Sequence, residues 1–160
     1  NDRSRDRDGY CLVAPVVANA KVNDRTTGPV AITGSGFINL KFNSQIDPEQ
    51  LPLTSYFVDW GDGQITSVTG VEMQNKPHEQ NPHNMYHFLS YWDLLQRSLT
   101  TPALCPGDRS VCRLTPKIQL RDKWGVCNGR NASEGFWATY CTLNNTQAWA
   151  GNIAIEVRKE

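Results

Sequence analysis

The three histidines of the chain, His78, His83 and His87, lie within ten residues of one another. Imidazole is a common ligand of zinc, and two histidines four apart would share one face of a helix. The three are therefore candidate zinc ligands for a zinc-dependent activity. Pro82 favours a turn before His83, however, so we expect a polar loop with a histidine at a helix start instead of one rigid three-ligand face.

Two carboxylates, Asp59 and Asp62, flank Trp60 and Gly61, and Gly63 follows directly. Carboxylate oxygens bind calcium, but two residues fall short of the roughly six to eight oxygen ligands that this ion takes. The glycines permit the positive φ of a hairpin turn, and Asp62 can accept hydrogen bonds from neighbouring amides. We expect turn-forming carboxylates, with calcium as the alternative and no other cofactor.

Aromatic side chains are a second source of binding chemistry. Trp124, Trp137 and Trp149 could stack on sugar rings or anchor a protein partner, and burial in a core is the equal alternative. The expected partners are proteins or glycans, with self-assembly as a further expectation. These residues are the candidate ligand-binding set.

The expected function classes are narrowed by what the sequence lacks. It contains no G-x-S-x-G, HExxH, phosphate-binding loop or GxGxxG pattern, so we expect a protein that is not an enzyme. Its 16 basic residues balance its 16 acidic residues, which gives no electrostatic attraction to nucleic acid or anionic lipid. No apolar run approaches the roughly 20 residues that span a bilayer, so no membrane contact is expected within this segment.

The five cysteines do not have zinc-finger spacing. Cys105 and Cys112 flank a short turn-rich loop, and Cys127 and Cys141 bracket a polar one, which predicts two disulfides. Cys11 would then be buried alone or paired with another chain. Disulfides favour an extracellular or cell-surface location, and the alternative is five reduced thiols in a cytosolic protein.

Short apolar–polar alternations between turn signals indicate strands that would position these groups. The predicted strands are residues 12–17, 30–33, 37–42, 55–60, 64–68, 117–121, 136–140 and 152–158. Residues 55–60 and 64–68 are joined by the glycine turn and should form a hairpin.

One segment has helical spacing instead. Apolar residues three and four apart predict an amphipathic helix at 84–98 that packs on the sheet, with Asn84 at its start. This stripe consists of Met85, Phe88, Trp92, Leu95 and Leu99.

The segment Val58-Asp-Trp-Gly-Asp-Gly63 resembles the WDFGDG signature of polycystic-kidney-disease (PKD) domains, immunoglobulin-like sandwiches of extracellular proteins. Residues 82–86 and 118–125 are similar to the family's later His-x-Tyr element and D-x-x-G turn. The resemblance covers about 34–125. It departs from the family in carrying a helix and a cysteine loop between the second and third elements, an insertion at about 70–115.

The resemblance implies a mainly β fold, an antiparallel immunoglobulin-like (PKD-like) β-sandwich with one inserted α-helix and disulfide-tied loops. Residues 1–9 are expected to be a disordered or linker tail, and 10–160 a single domain. The expected function is a non-catalytic structural or adhesion module of a surface or secreted protein, such as a pilus subunit or domain. The alternatives are a carbohydrate-binding module of a larger enzyme and the zinc-dependent activity.

Overall fold

A computed structural model describes residues 4–5, 11–12, 15–45, 53–69, 82–122, 127–128 and 150–160, although for 4–5, 11–12, 69 and 122 only the backbone is described. Over these residues the protein is mainly β, with one α-helix. No helix among them has the length and apolar character needed to cross a membrane.

Eleven strands and one helix follow one another along the described chain. The strands are β1 (Ser4–Arg5), β2 (Cys11–Leu12), β3 (Val16–Val22), β4 (Val30–Thr33), β5 (Ser35–Gln45), β6 (Leu53–Asp59), β7 (Ile65–Thr69), β8 (His83–Ser90), β9 (Val111–Leu114), β10 (Lys117–Asp122) and β11 (Ile155–Arg158). The helix α1 (Tyr91–Arg97) lies between β8 and β9, and a short 3-10 turn (Pro102–Leu104) follows it.

The strands form three three-stranded sheets and one short β1–β2 pair. In the first sheet β5 lies between β3 and β8, and in the second β6 lies between β10 and β7; all four of these pairings are antiparallel. In the third sheet β11 lies between β9, which is antiparallel to it, and β4, which is parallel to it.

Period-two alternation produces one shared core. Ile38, Leu40 and Phe42 of β5 all face inward and are at most 2% exposed, while the residues between them are partly exposed. Phe42 and Tyr56 of β6 make an edge-to-face contact with ring centroids 5.5 Å apart, so the first and second sheets pack against each other through their apolar faces. This arrangement is compatible with a β-sandwich.

Most of the predicted strands are confirmed. Residues 30–33 form β4, 37–42 lie inside β5, and 117–121 lie inside β10. The predicted hairpin is β6 and β7. The prediction at 12–17 is shifted: Pro15 precedes β3, which runs from Val16 to Val22. Of the predicted final strand only Ile155–Arg158 has strand structure, and residues 136–140 lie outside the described residues.

The predicted helix at 84–98 is wrong over its first half, because His83–Ser90 is strand β8 and the helix begins at Tyr91 after Ser90. On β8 the inward side chains alternate, and two of them are histidines, which concealed the strand period. The side chains that α1 buries are Tyr91 and Leu94, whereas Trp92 and Leu99 of the predicted stripe are 58% and 67% exposed.

The short cysteine loop is closed as predicted by a disulfide between Cys105 and Cys112. Cys127 is also disulfide-bonded, and it is fully buried. The side chains of Cys11 and Cys141 lie outside the described residues, so the predicted pairing of Cys127 with Cys141 stays a prediction.

Candidate functional site

The β6–β7 hairpin turn is built by the two carboxylates and the two glycines of the sequence motif. Asp59 accepts a hydrogen bond from the amide of Gly61 and Asp62 accepts one from the amide of Gln64, each at 3.0 Å. Gly61 and Gly63 both have φ of 88°, a conformation that residues with a Cβ rarely adopt. Both carboxylates therefore have the predicted turn-forming role.

The second oxygen of Asp62 leaves the turn and contacts β8. Its Oδ2 lies 2.7 Å from Nε2 of His87, and the two side chains are only 10% and 11% exposed. The imidazole of His87 stacks on the indole of Trp60, with centroids 4.5 Å apart and planes within 4° of parallel. Trp60 in turn donates from Nε1 to Oγ1 of Thr66 at 2.8 Å. Asp62 and Trp60 thus hold His87 in one position.

The other described histidine has a separate environment. Nε2 of His83 lies 3.0 Å from Oγ of Ser44, and its ring packs beside Phe42 and Tyr56. Because β8 is a strand, His83 and His87 share a face but are about 13 Å apart along it, too far to bind one zinc ion at about 2 Å each. The helical face required by the zinc hypothesis is therefore not formed.

Among the described residues, no three His, Cys, Asp or Glu side chains are grouped so that they could hold a metal ion. His78, Trp124, Trp137 and Trp149 lie outside the described residues, so their roles stay predictions.

The pKa of Asp62 depends on opposing effects. Burial alone would raise this pKa, but hydrogen bonds from His87 and from the amide of Gln64, with the charge of His87, outweigh burial and hold the pKa below the usual 3.8. The carboxylate is therefore more stable when ionised in the folded protein than in the unfolded chain. Its contribution to folding is fully present above about pH 3.8 and is lost as pH falls through the lower, folded-state pKa.

Asp62→Asn should consequently lower the free energy of unfolding by about 1.5–3 kcal/mol near neutral pH, as expected for hydrogen bonds to a charged group. The difference from the original protein should shrink as the pH falls below about 3.8. Urea unfolding at a series of pH values measures this difference in the free energy of unfolding. Asp24→Asn, in an exposed pair with Lys41, is the control with little effect. A difference that is constant with pH would contradict the argument.

A pocket of about 390 Å³ opens beside the Asp62–His87 pair. It lies between the hairpin turn, the end of β8 and α1, and it is lined by Asp62, Gln64, His87, Phe88, Leu89, Ser90, Asp93, Leu94 and Arg97. The guanidinium of Arg97 packs over Gly63, where an added Cβ would lie 2.1 Å from Nη1. Gly63 thus leaves the space that Arg97 occupies, which no motif in the sequence indicated.

The chemistry available in this pocket is recognition by polar side chains. Within the described residues Asp93 and Arg97 form no ion pair, so both charged groups are available to a ligand. The hydrogen bond that His87 makes among these residues is to Asp62, so Ser90 is not part of a Ser–His–Asp relay. A held imidazole, a carboxylate, an amide and a guanidinium therefore surround a small volume that a polar ligand could enter.

An aromatic face lies next to the pocket, on the outer side of β5 and β8. It consists of Phe37, Tyr86 and Phe88, which are 66%, 67% and 48% exposed. Phe37 and Phe88 are cross-strand partners whose ring centroids are 5.2 Å apart at 63°. Phe88 also lines the pocket, so the two surfaces are continuous. The outward position of Phe37 follows from its place beside the inward Ile38, a signal that the sequence contained.

Comparison with protein-family models, with curated proteins and with solved structures found no match to this chain. The resemblance to PKD domains therefore rests on the sequence motifs alone.

Proposed function

We propose that this chain is a non-catalytic binding module of a secreted or cell-surface protein, and that it contacts its partner through the aromatic face. The observation that carries the proposal is the grouping of Phe37, Tyr86 and Phe88 on the solvent side of one sheet. Contiguous exposed aromatic surface is typical of interaction sites, where rigid rings supply contact area at a low entropic cost.

The strand order supports an immunoglobulin-like sandwich for this module. In that architecture the first, second and fifth strands share one sheet, while the third and sixth pair in the other. With β3, β5, β6, β8 and β10 as strands A, B, C, E and F, the sheets β3-β5-β8 and β10-β6-β7 have this order. Immunoglobulin-like and PKD-like membership is thus part of the proposal.

The cysteines support the proposed location. The Cys105–Cys112 disulfide and the oxidised Cys127 are typical of proteins that fold in an oxidising compartment. A surface or secreted module is the class of protein in which such bonds persist.

The test is a binding screen of the folded protein against arrays of identified extracellular proteins and glycans. A partner found there should lose affinity by at least about tenfold in a Phe37→Ala/Phe88→Ala variant, since central aromatic residues dominate binding energies. Trp92→Ala removes an equally exposed aromatic residue from α1 and should leave the affinity unchanged.

The proposal is rejected if the arrays contain no partner, or if every partner binds the double variant as well as the original protein. Thermal unfolding of each variant shows whether it is folded, and so distinguishes a loss of affinity from a loss of structure. Because Phe37 and Phe88 are about half or more exposed, their truncation should change stability little.

A further inference from the structure

We infer that the partner is a neutral oligosaccharide whose terminal unit enters the pocket beside His87 and whose following units lie along the aromatic face. This inference rests on the proposed function and names the chemistry of its ligand. It follows from three properties of the combined surface: its hydrogen-bonding groups, its charge and the geometry of its rings.

The hydrogen-bonding groups are those that sugar hydroxyls require. A sugar ring presents adjacent hydroxyls, each of which both donates and accepts. Arg97 offers a planar set of N–H donors, Asp93 offers acceptors, and Gln64 offers both, and all three line the pocket. Asp93 and Arg97 are four residues apart on α1, so they share one face of the helix, with Cβ atoms about 5–6 Å apart. A single ligand in the pocket can therefore meet an acceptor and a donor from the same helix face.

The charge of the pocket favours a ligand without charge. Asp62 and Asp93 are opposed by Arg97 alone when His87 is neutral, and by both cations when it is protonated. In neither state is there surplus positive charge, so a phosphate or sulfate group would gain no net attraction. The aromatic face adds no charged side chain, and the neighbouring amides of Asn39 and Asn84 are bonded to each other.

The rings of the aromatic face can pack against the apolar faces of sugar rings. Phe37 and Phe88 are inclined at 63°, so they do not form a flat platform. A single, bent oligosaccharide chain can follow such a surface, whereas the flat face of a crystalline polysaccharide cannot contact both rings. Phe88 belongs to both the pocket lining and the aromatic face, which makes one continuous path.

The back of the pocket is held in place before any ligand arrives. Asp62 bonds to His87, Trp60 stacks on it, and Arg97 is packed over Gly63. A wall that is already ordered loses little further freedom on binding, and this favours the weak, polar contacts that a sugar makes.

The experiment is calorimetric titration of the folded protein with soluble cellohexaose, chitohexaose, xylohexaose and mannohexaose. We expect at least one of them to bind, and Phe88→Ala and Arg97→Gln each to weaken that binding by at least about tenfold. Trp92→Ala is the matched control, because it removes an exposed aromatic residue that lines neither surface and should bind as the original protein does.

Three outcomes would overturn the inference: no heat of binding with any of the four at millimolar ligand, binding that both variants retain, or binding to crystalline cellulose alone. The proposed function fails separately. Suppose that no sugar binds, but that an extracellular protein from the array binds the original protein and not the Phe37→Ala/Phe88→Ala variant. The proposed function as a binding module is then supported, and the glycan inference is rejected. Unfolding curves for Phe88→Ala and Arg97→Gln confirm that each variant is folded.

Discussion

Trp60→Ala is expected to lower the free energy of unfolding by about 3–5 kcal/mol. Trp60 is fully buried at the start of the hairpin turn, it stacks on His87, and its indole N–H bonds to Thr66. Truncation removes the largest buried side chain of the described core and leaves a cavity. It also removes the ring that stacks on His87. The measurement is urea unfolding followed by far-ultraviolet circular dichroism, since tryptophan fluorescence would itself change.

Trp92→Ala is the control for this prediction. Trp92 is 58% exposed on α1, so its removal should change the free energy of unfolding by less than about 0.5 kcal/mol. Equal losses for the two tryptophans would show that the hairpin is not held as described.

Gly151→Ala is expected to lower the free energy of unfolding by about 3 kcal/mol or more. Gly151 has φ of 156°, and a Cβ there would lie 2.1 Å from the carbonyl oxygen of Pro116. The backbone cannot move away easily, because the adjacent Ala150 exchanges two hydrogen bonds with Ile118 at 2.7 and 2.9 Å. The substitution must therefore either strain this segment or detach it from β10.

Gly36→Ala provides the matched comparison. The nearest atom to a Cβ at Gly36 is Cγ2 of Ile32 at 3.5 Å, an ordinary contact in a strand. This variant should be as stable as the original protein or slightly more stable, because alanine restricts the unfolded chain. A Gly151→Ala protein that unfolds at the same urea concentration as Gly36→Ala would contradict the strain argument.

The local pattern of apolar and polar residues was sufficient to predict most of the strands. Ile38, Leu40 and Phe42 alternate with polar residues because one face of β5 meets the core, and that burial produces the period seen in the sequence. The hairpin was predictable for a similar reason, since Gly61 and Gly63 are required by the turn itself. Both signals arise from interactions within a few residues.

The error at 84–98 had a physical cause. The helical spacing of Met85, Phe88, Trp92, Leu95 and Leu99 is a coincidence. Met85 points inward and Phe88 outward on β8, Trp92 and Leu95 belong to α1, and Leu99 lies in the turn after it. The true period passes through His83 and His87, which are polar in composition yet face inward because Ser44 and Asp62 provide hydrogen bonds. A pattern based on hydrophobicity cannot detect partnered histidines.

The candidate site depended on long-range contacts and was predictable only as separate parts. Asp62 was predicted to form the turn, with calcium binding as the alternative, and His87 was a candidate zinc ligand; the structure brings the two side chains together as a pair. Their contact joins a hairpin turn to the strand of another sheet, and the packing of Arg97 over Gly63 joins the same turn to α1. No local spacing encodes such contacts, because they follow from the way the sheets pack.

The position of β11 in its sheet has a consequence for biosynthesis. This strand is the last of the described strands to be translated, yet it lies between β4 and β9, and Ile155 and Val157 are completely buried. At translation rates of about 5–20 residues per second, β4 emerges on the order of ten seconds before its parallel partner exists. We therefore expect the nascent chain to complete this sheet only after synthesis passes Arg158, and the unpaired backbone groups on the edge of β4 to need protection until then.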